Sequence, residues 1–186
     1  MGRISPMRWL VGREPGKQGG ILTLGTLDGV HRGHQALLAA CRTWADELAT
    51  HIEVWVFHPH PRTVLRGEEV PLLTTLPERV ALLYEAGAHL VREVPFTLEL
   101  AQLPAEVFVR EWILQVSKPR GVVLGYDHRF GRGREGSADL LVRMGLAVRE
   151  VPPLTVGEEP VSSSRIRAQI QAGKVAEAMH LLGRPY

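Results

Sequence analysis

The sequence predicts an α/β protein, a mostly parallel sheet with helices on both faces. Three observations point there. Short apolar runs alternate with stretches of helical periodicity along the chain, the order that repeated β-then-α units leave in a sequence. Two of the runs, "ILTLG" (21–25) and "GVVLG" (121–125), are short, end in glycine and read as buried strands. A chain of 186 residues with 45% hydrophobic content can bury one sizeable core.

The elements follow in order. Gly25 ends the first strand, and Leu37, Leu38, Cys41, Ala45 and Leu48 then form one helical stripe. "HIEVWVF" (51–57) alternates and carries Val, Trp and Phe, a second strand. Thr75 and Pro77 open a helix that Gly87 closes, with Val80, Leu83 and Tyr84 inward. "AHLVREV" (88–94) is strand-like, and Pro104 starts a helix with Phe108, Trp112 and Leu114 among its apolar positions. After the strand 121–125 comes another, "LAVREVPPL" (146–154), and two short helices around 163–171 and 174–182. Residues 1–20 read as a leader, mobile over the Gly- and basic-rich 12–20, and 21–186 as a single domain.

The formal charge of +2 is too mild for a nucleic-acid tail, and the basic residues are scattered. Nineteen of the 22 basic residues are Arg, which suits anionic small molecules. Cys41 is the single cysteine, so no internal disulfide forms and a reducing, cytoplasmic setting is expected. No apolar run approaches the roughly 18 residues of a membrane span, and no signal-peptide core is present. Neither a membrane nor a nucleic acid is an expected partner.

In such sheets ligands bind beyond the carboxyl ends of the strands, and four stretches fall there. The first is "GTLDGVHRGH" (25–34). Gly25 and Gly29 let backbone approach a phosphate, Gly33 leaves the helix start unobstructed, and the free N–H groups there favour an anion. His31 and His34 add donors for charge growing on phosphorus. The plain alternative is two surface histidines on a loop. The second is "FHPHPRTVL" (57–65). Its H-x-H pair raises a zinc site with His31 and His34, but no cysteine or carboxylate accompanies it, so no metal site built from side chains is expected. A proline-stiffened loop explains it equally. The third, "LGYDHRFGRGREG" (124–136), is glycine-rich and basic, yet neither a GxxxxGK[ST] loop nor a GxGxxG fingerprint. Alone, it reads as well as a flexible surface loop. The fourth is "VSSSRIRAQI" (161–170). One hydroxyl is an N-cap. Three serines followed by Arg165 and Arg167 make a helix start suited to a polyphosphate.

Together these stretches resemble the FMN adenylyltransferase module of the prokaryotic bifunctional riboflavin kinase/FMN adenylyltransferases, the FAD synthetases. That family's "FDGVHxGH" stands here as "LDGVHRGH", its "PHP" loop as "HPHPRTVL", its "GxDFRFG" loop as "GYDHRFG", and its "SSTxIR" as "SSSRIR". The resemblance spans roughly residues 20 to 186. H-x-G-H alone marks only the wider nucleotidylyltransferase superfamily; the four motifs in order are far more specific. The implied fold is a Rossmann-like sheet of nucleotidylyltransferase type.

The implied reaction joins FMN and ATP into FAD and pyrophosphate, with Mg²⁺ held by the ATP phosphates. His31, His34, Ser163, Ser164 and Arg167 would carry catalysis. Gly25, Thr26, Leu27, Gly29, Gly33, Asp127 and Arg129 would bind ATP, and Pro59, His60, Pro61 and Phe130 the flavin. Leu27 and His128 stand where the family has Phe, and Ser164 replaces Thr while keeping the hydroxyl. "LLGRPY" lies where bifunctional members pass into their riboflavin kinase domain. The resemblance therefore implies adenylyltransferase without kinase activity in this chain, with FMN supplied by a separate kinase domain or protein. Two alternatives stay open, a nucleotidylyltransferase for another phosphate-bearing acceptor and a non-catalytic module that holds flavin or nucleotide.

Overall fold

The computed structural model describes residues 8–186. Its centre is a six-stranded sheet in the order β1-β4-β3-β2-β5-β6, parallel throughout. The strands are β1 (Arg8–Val11), β2 (Ile21–Gly25), β3 (Ile52–His58), β4 (Leu90–Pro95), β5 (Gly121–Gly125) and β6 (Val148–Val151). The apolar runs at 21–25 and 121–125 match β2 and β5 residue for residue. β6 is shorter than the expected 146–154 because Pro152 and Pro153 cannot donate to the ladder.

Alternating side chains of these strands feed two cores. Leu22, Leu24, Trp55 and Phe57 pack with Phe108, Val109 and Ile113 on one face. On the other, Ile21, Val54 and Val56 pack against Leu38, Cys41 and Trp44 of α1 (Arg32–Glu47). Both faces being buried explains why the central strands are apolar runs and not alternating ones.

Shorter helices fill the stretches between β3 and β5. α2 (Pro61–Arg66) follows the "HPHP" loop, capped by His60 Nδ1, which accepts from Arg62 N. α3 (Leu76–Glu85) begins with a capping box, Thr75 with Glu78, as its opening residues suggest. The helix expected from Pro104 is α5 (Ala105–Phe108), after a short α4 (Leu98–Gln102); it runs on through Val109–Ser117 with wider π-type turns. α6 (Ala138–Arg143) precedes β6, and a small hairpin of β7 (Thr155–Val156) and β8 (Glu159–Pro160) follows it. α7 (Ser163–Gln171) and α8 (Val175–Leu182) close the chain, packing Ile166, Ala178, Leu181 and Leu182 on Leu73 and Val161.

Part of the leader needs correction. Residues 1–7 lie outside the described residues, but Arg8–Val11 is an edge strand paired with β4. Residues 12–20 are strapped across the sheet: the fully buried Arg92 donates through Nη1 to the carbonyls of Gly12 (3.1 Å) and Glu14 (2.7 Å), and Thr50 Oγ1 donates to that of Gly19 (2.7 Å). Composition alone points to mobility, whereas these long-range bonds fix the backbone.

Candidate functional site

β3 and β5 flank β2 on opposite sides, so the strand order reverses beyond Gly25 and Gly125. A cavity of about 490 Å³ opens there, where open α/β sheets bind ligands. One wall is the turn between β2 and α1. Its backbone is unusual: Leu27 (φ 49°), Gly29 (φ 80°) and Val30 (φ 40°) all adopt positive φ. A β-branched valine there is a true outlier, and the contacts below hold it. Leu27 and Val30 point into the core, 3% and 2% exposed.

The turn delivers His31 to the N-cap of α1 and His34 to its first turn. Their rings stack, centroids 3.6 Å apart and planes inclined by 19°. Burial dominates their titration. It pushes His31 down to about 4, against the opposing pull of Asp28. It holds His34 well below the usual histidine range, with the adjacent His31 ring and the Arg79 guanidinium disfavouring its protonation further. Both imidazoles are therefore neutral near pH 7, and neither Nδ1 has a hydrogen-bond partner among the described residues. A Cβ on Gly33 would sit 3.2 Å from the His31 ring, so the glycine keeps the pair in place.

The facing wall is the start of α7. Ser162 caps the helix by accepting from Arg165 N, which leaves Ser163 and Ser164 for other work. Ser163 Oγ donates to the Asp28 carbonyl at 2.8 Å. Arg167 Nη1 meets Asp28 Oδ2 at 2.8 Å and Nη2 donates to Ser164 Oγ at 3.3 Å. Arg165 turns away, bonded to the carbonyls of Glu159 and Val156 and ion-paired with Glu159.

The cavity brings together Thr26, His31, Gly33, His34, His60, Asp127, Ser163, Ser164 and Arg167. Other residues expected at the site stand elsewhere. Gly25, Gly29 and Leu27 shape the turn behind the cavity wall. Pro59 and Pro61 flank His60 without lining the cavity, and Arg129 is exposed. Phe130 is 6% exposed, its ring 5.8 Å from that of Phe108 in the core. The imidazole of His128 is enclosed and not turned to solvent; burial lowers it to about 4.

Sequence pattern alone does not single out Asp28, Thr74 and Arg79. Asp28 is fully buried and accepts from Leu73 N, Thr74 N, Thr74 Oγ1 and Arg79 Nη2, in addition to Arg167. Signals exist: Asp28 sits inside "LDGVHRGH", and Arg79 is a cation on the inward stripe of α3 beside Val80 and Leu83. Pro152, Pro153 and Tyr126 also line the cavity.

The chain is an α/β protein with a parallel sheet, its switch point walled by a glycine-flanked histidine pair and a hydroxyl-arginine helix start. A solved pantothenate synthetase from Thermus thermophilus shares that chain path, with TM-score 0.57 at 18% identity over 95% of this chain and 81% of its own. The chain belongs to the FAD synthetase family, whose sequence model matches residues 14–165. It is 31% identical over 171 residues to the bifunctional riboflavin kinase/FMN adenylyltransferase of Listeria monocytogenes, covering 89% of this chain and 54% of that protein. It is 34% identical to a putative bifunctional riboflavin kinase/FMN adenylyltransferase of Geobacillus thermodenitrificans, covering 90% and 91%. A crystal structure described as a macrolide-efflux protein of Streptococcus pneumoniae superposes with TM-score 0.88 at 27% identity, over 96% of this chain and 62% of that one. The chain spans about half the length of several curated relatives it matches. No helix among the described residues is long and apolar enough to cross a membrane.

Proposed function

We propose that the chain is an FMN adenylyltransferase, which transfers AMP from ATP to FMN and releases FAD and pyrophosphate. One observation carries the reading: two neutral, stacked imidazoles and a serine-arginine helix start face each other across one cavity at the switch point. Family membership supplies the substrate pair.

In this reading a phosphate oxygen of FMN attacks the α-phosphorus of ATP, and the bond to the β-phosphate oxygen breaks. The nucleophile is already anionic, so no side-chain base is required. The walls position the partners and stabilise charge. His31 and His34 each present one N–H to the phosphates. Ser163, Ser164 and Arg167 hold the leaving pyrophosphate end, where a guanidinium makes charge-assisted bonds. Asp127 belongs to the nucleotide side, and the "HPHP" loop frames the flavin through His60. Mg²⁺ accompanies ATP and offsets phosphate charge.

The test is direct. Purified chain with ATP, Mg²⁺ and FMN should yield FAD and stoichiometric pyrophosphate by chromatography. FMN binding without pyrophosphate release would overturn the reading in favour of a binding module. Turnover confined to another phosphate-bearing acceptor would favour a different nucleotidylyltransferase.

A further inference from the structure

We propose that Asp28 is the positioning residue for Arg167, with Arg79 as the buried counter-charge that lets it serve. The proposal rests on the reading of the cavity as a polyphosphate site.

The two carboxylate oxygens of Asp28 are divided. Oδ1 accepts from Thr74 N (3.2 Å), Thr74 Oγ1 (3.1 Å) and Arg79 Nη2 (3.0 Å). Oδ2 faces Arg167 Nη1 at 2.8 Å, and Leu73 N reaches both oxygens. Arg79 is spent inside the protein: Nε binds Thr74 Oγ1, Nη1 the Thr26 carbonyl, and Nη2 the Thr74 carbonyl as well as Asp28. It does not line the cavity, whereas Arg167 does. The cluster therefore holds one carboxylate between two guanidiniums, one fixed in the core and one presented to the ligand.

A long arginine side chain normally loses rotamer freedom when it grips a phosphate. Here Asp28 and Ser164 hold one N–H from each terminal nitrogen, and Arg167 lines the cavity. Arg167 is thereby set against the cavity wall before ATP arrives. The Asp28 carbonyl also receives Ser163 Oγ, so a single residue registers α7 against the histidine turn. The strained backbone of Leu27 and Val30 serves the same end, since it aims the Asp28 side chain away from the cavity and into the seat made by Leu73 and Thr74.

The test is a double-mutant cycle on D28N, R167A and the pair, with R165A as control, reading KM for ATP and FMN separately. R167A should raise KM for ATP by about 10- to 100-fold. D28N should raise the same KM to a similar degree and leave KM for FMN nearly unchanged. The double variant should be no worse than R167A, and R165A should match the parent. Multiplicative effects, or equal losses on both substrates, would overturn the proposal. If D28N does not fold, NMR of the unliganded parent decides: hindered rotation of the Arg167 guanidinium supports it, free rotation overturns it. If the parent makes no FAD, the functional reading fails separately. The same cycle is then run on calorimetric binding of inorganic pyrophosphate, with the NMR result deciding if none binds.

Discussion

The rings of His31 and His34 lie 3.6 Å apart, nearly parallel, at the mouth of α1. Two imidazolium ions could not hold that spacing in a buried setting, because each would repel the other where water screens little. The fold therefore commits both rings to the neutral state, in which each has one N–H to give.

If those donors stabilise charge on the transferring phosphate, H31N and H34N should each lower kcat, by roughly 2 to 4 kcal/mol of transition-state stabilisation. Asparagine keeps a polar group near the vacated ring position, so circular dichroism should be unchanged. Because the rings support each other, the double variant should lose less than the product of the two. Near-parent kcat in both single variants would remove the histidines from the mechanism.

Neutral buried histidine also makes the fold sensitive to acid. Burial depresses His31 to about 4 from 6.5, so the unfolded chain binds the proton more readily than the folded one. The stability from this neutral form is complete above pH 6.5 and is lost as pH falls from 6.5 towards 4. The full drop corresponds to roughly 3 kcal/mol. His128, lowered to about 4 by burial, acts in the same window. Thermal melts should show a constant histidine contribution from about pH 7 to 8 and a falling Tm below about 6.5. H128N should flatten that fall. A Tm that holds level down to about pH 4.5 would contradict the burial argument.

Much of this is legible in the sequence because local pattern and tertiary role coincide. β2 and β5 are apolar runs ended by glycine, and His31, His34, Ser163, Ser164 and Arg167 occupy a strand-to-helix turn and a helix start, where anion sites form. β1 is hidden. It is four residues long with Trp9 and Val11 exposed, and it exists through pairing to β4 and a bond from Tyr84 Oη to the Arg8 carbonyl. The prolines around α2 suggest a loop, although Pro61 sits at a helix start where proline is favoured. Asp28 and Arg79 escape because their partners are remote, 51 positions apart for that pair and 139 for Asp28 with Arg167. The motif around Phe130 assigns it to the flavin, yet its ring fills the core beside Phe108.

The turn's glycines should separate by function. A Cβ on Gly29 would lie 2.7 Å from Leu73 Cδ1 at a backbone φ of +80°, and Gly29 N donates to Thr74 Oγ1. G29A should cost roughly 2 kcal/mol through strain and crowding and disturb the Asp28 seat. A Cβ on Gly25 would meet Leu27 at an ordinary 3.4 Å, so G25A should melt near the parent temperature. Equal Tm values for the two variants would refute the distinction.

A second buried charge pair gives a prediction about stability alone. Glu53 and Arg92 are each fully buried. Glu53 Oε1 accepts from Arg92 Nε (2.9 Å) and Trp55 Nε1 (2.8 Å), and Oε2 from Ser117 Oγ (2.7 Å). Arg92 Nη1 in turn holds the carbonyls of Gly12 and Glu14. None of these residues lines the cavity. E53A strands the guanidinium in the core and should cost roughly 3 to 5 kcal/mol, the range for breaking a buried pair on one side. The E53L/R92M double variant removes both charges and should recover much of that loss. Recovery should be incomplete, because the carbonyls of the 12–20 strap lose their donor. The exposed pair Glu47–Arg149 is the contrast: water already solvates both ends, so E47A should leave Tm nearly unchanged. Turnover per folded molecule should match the parent in all three variants. Chemical denaturation read beside kcat tests this. An E53A protein as stable as E47A would mean that the buried pair contributes nothing to the fold, and a fallen kcat at full folding would mean that the strap reaches the site.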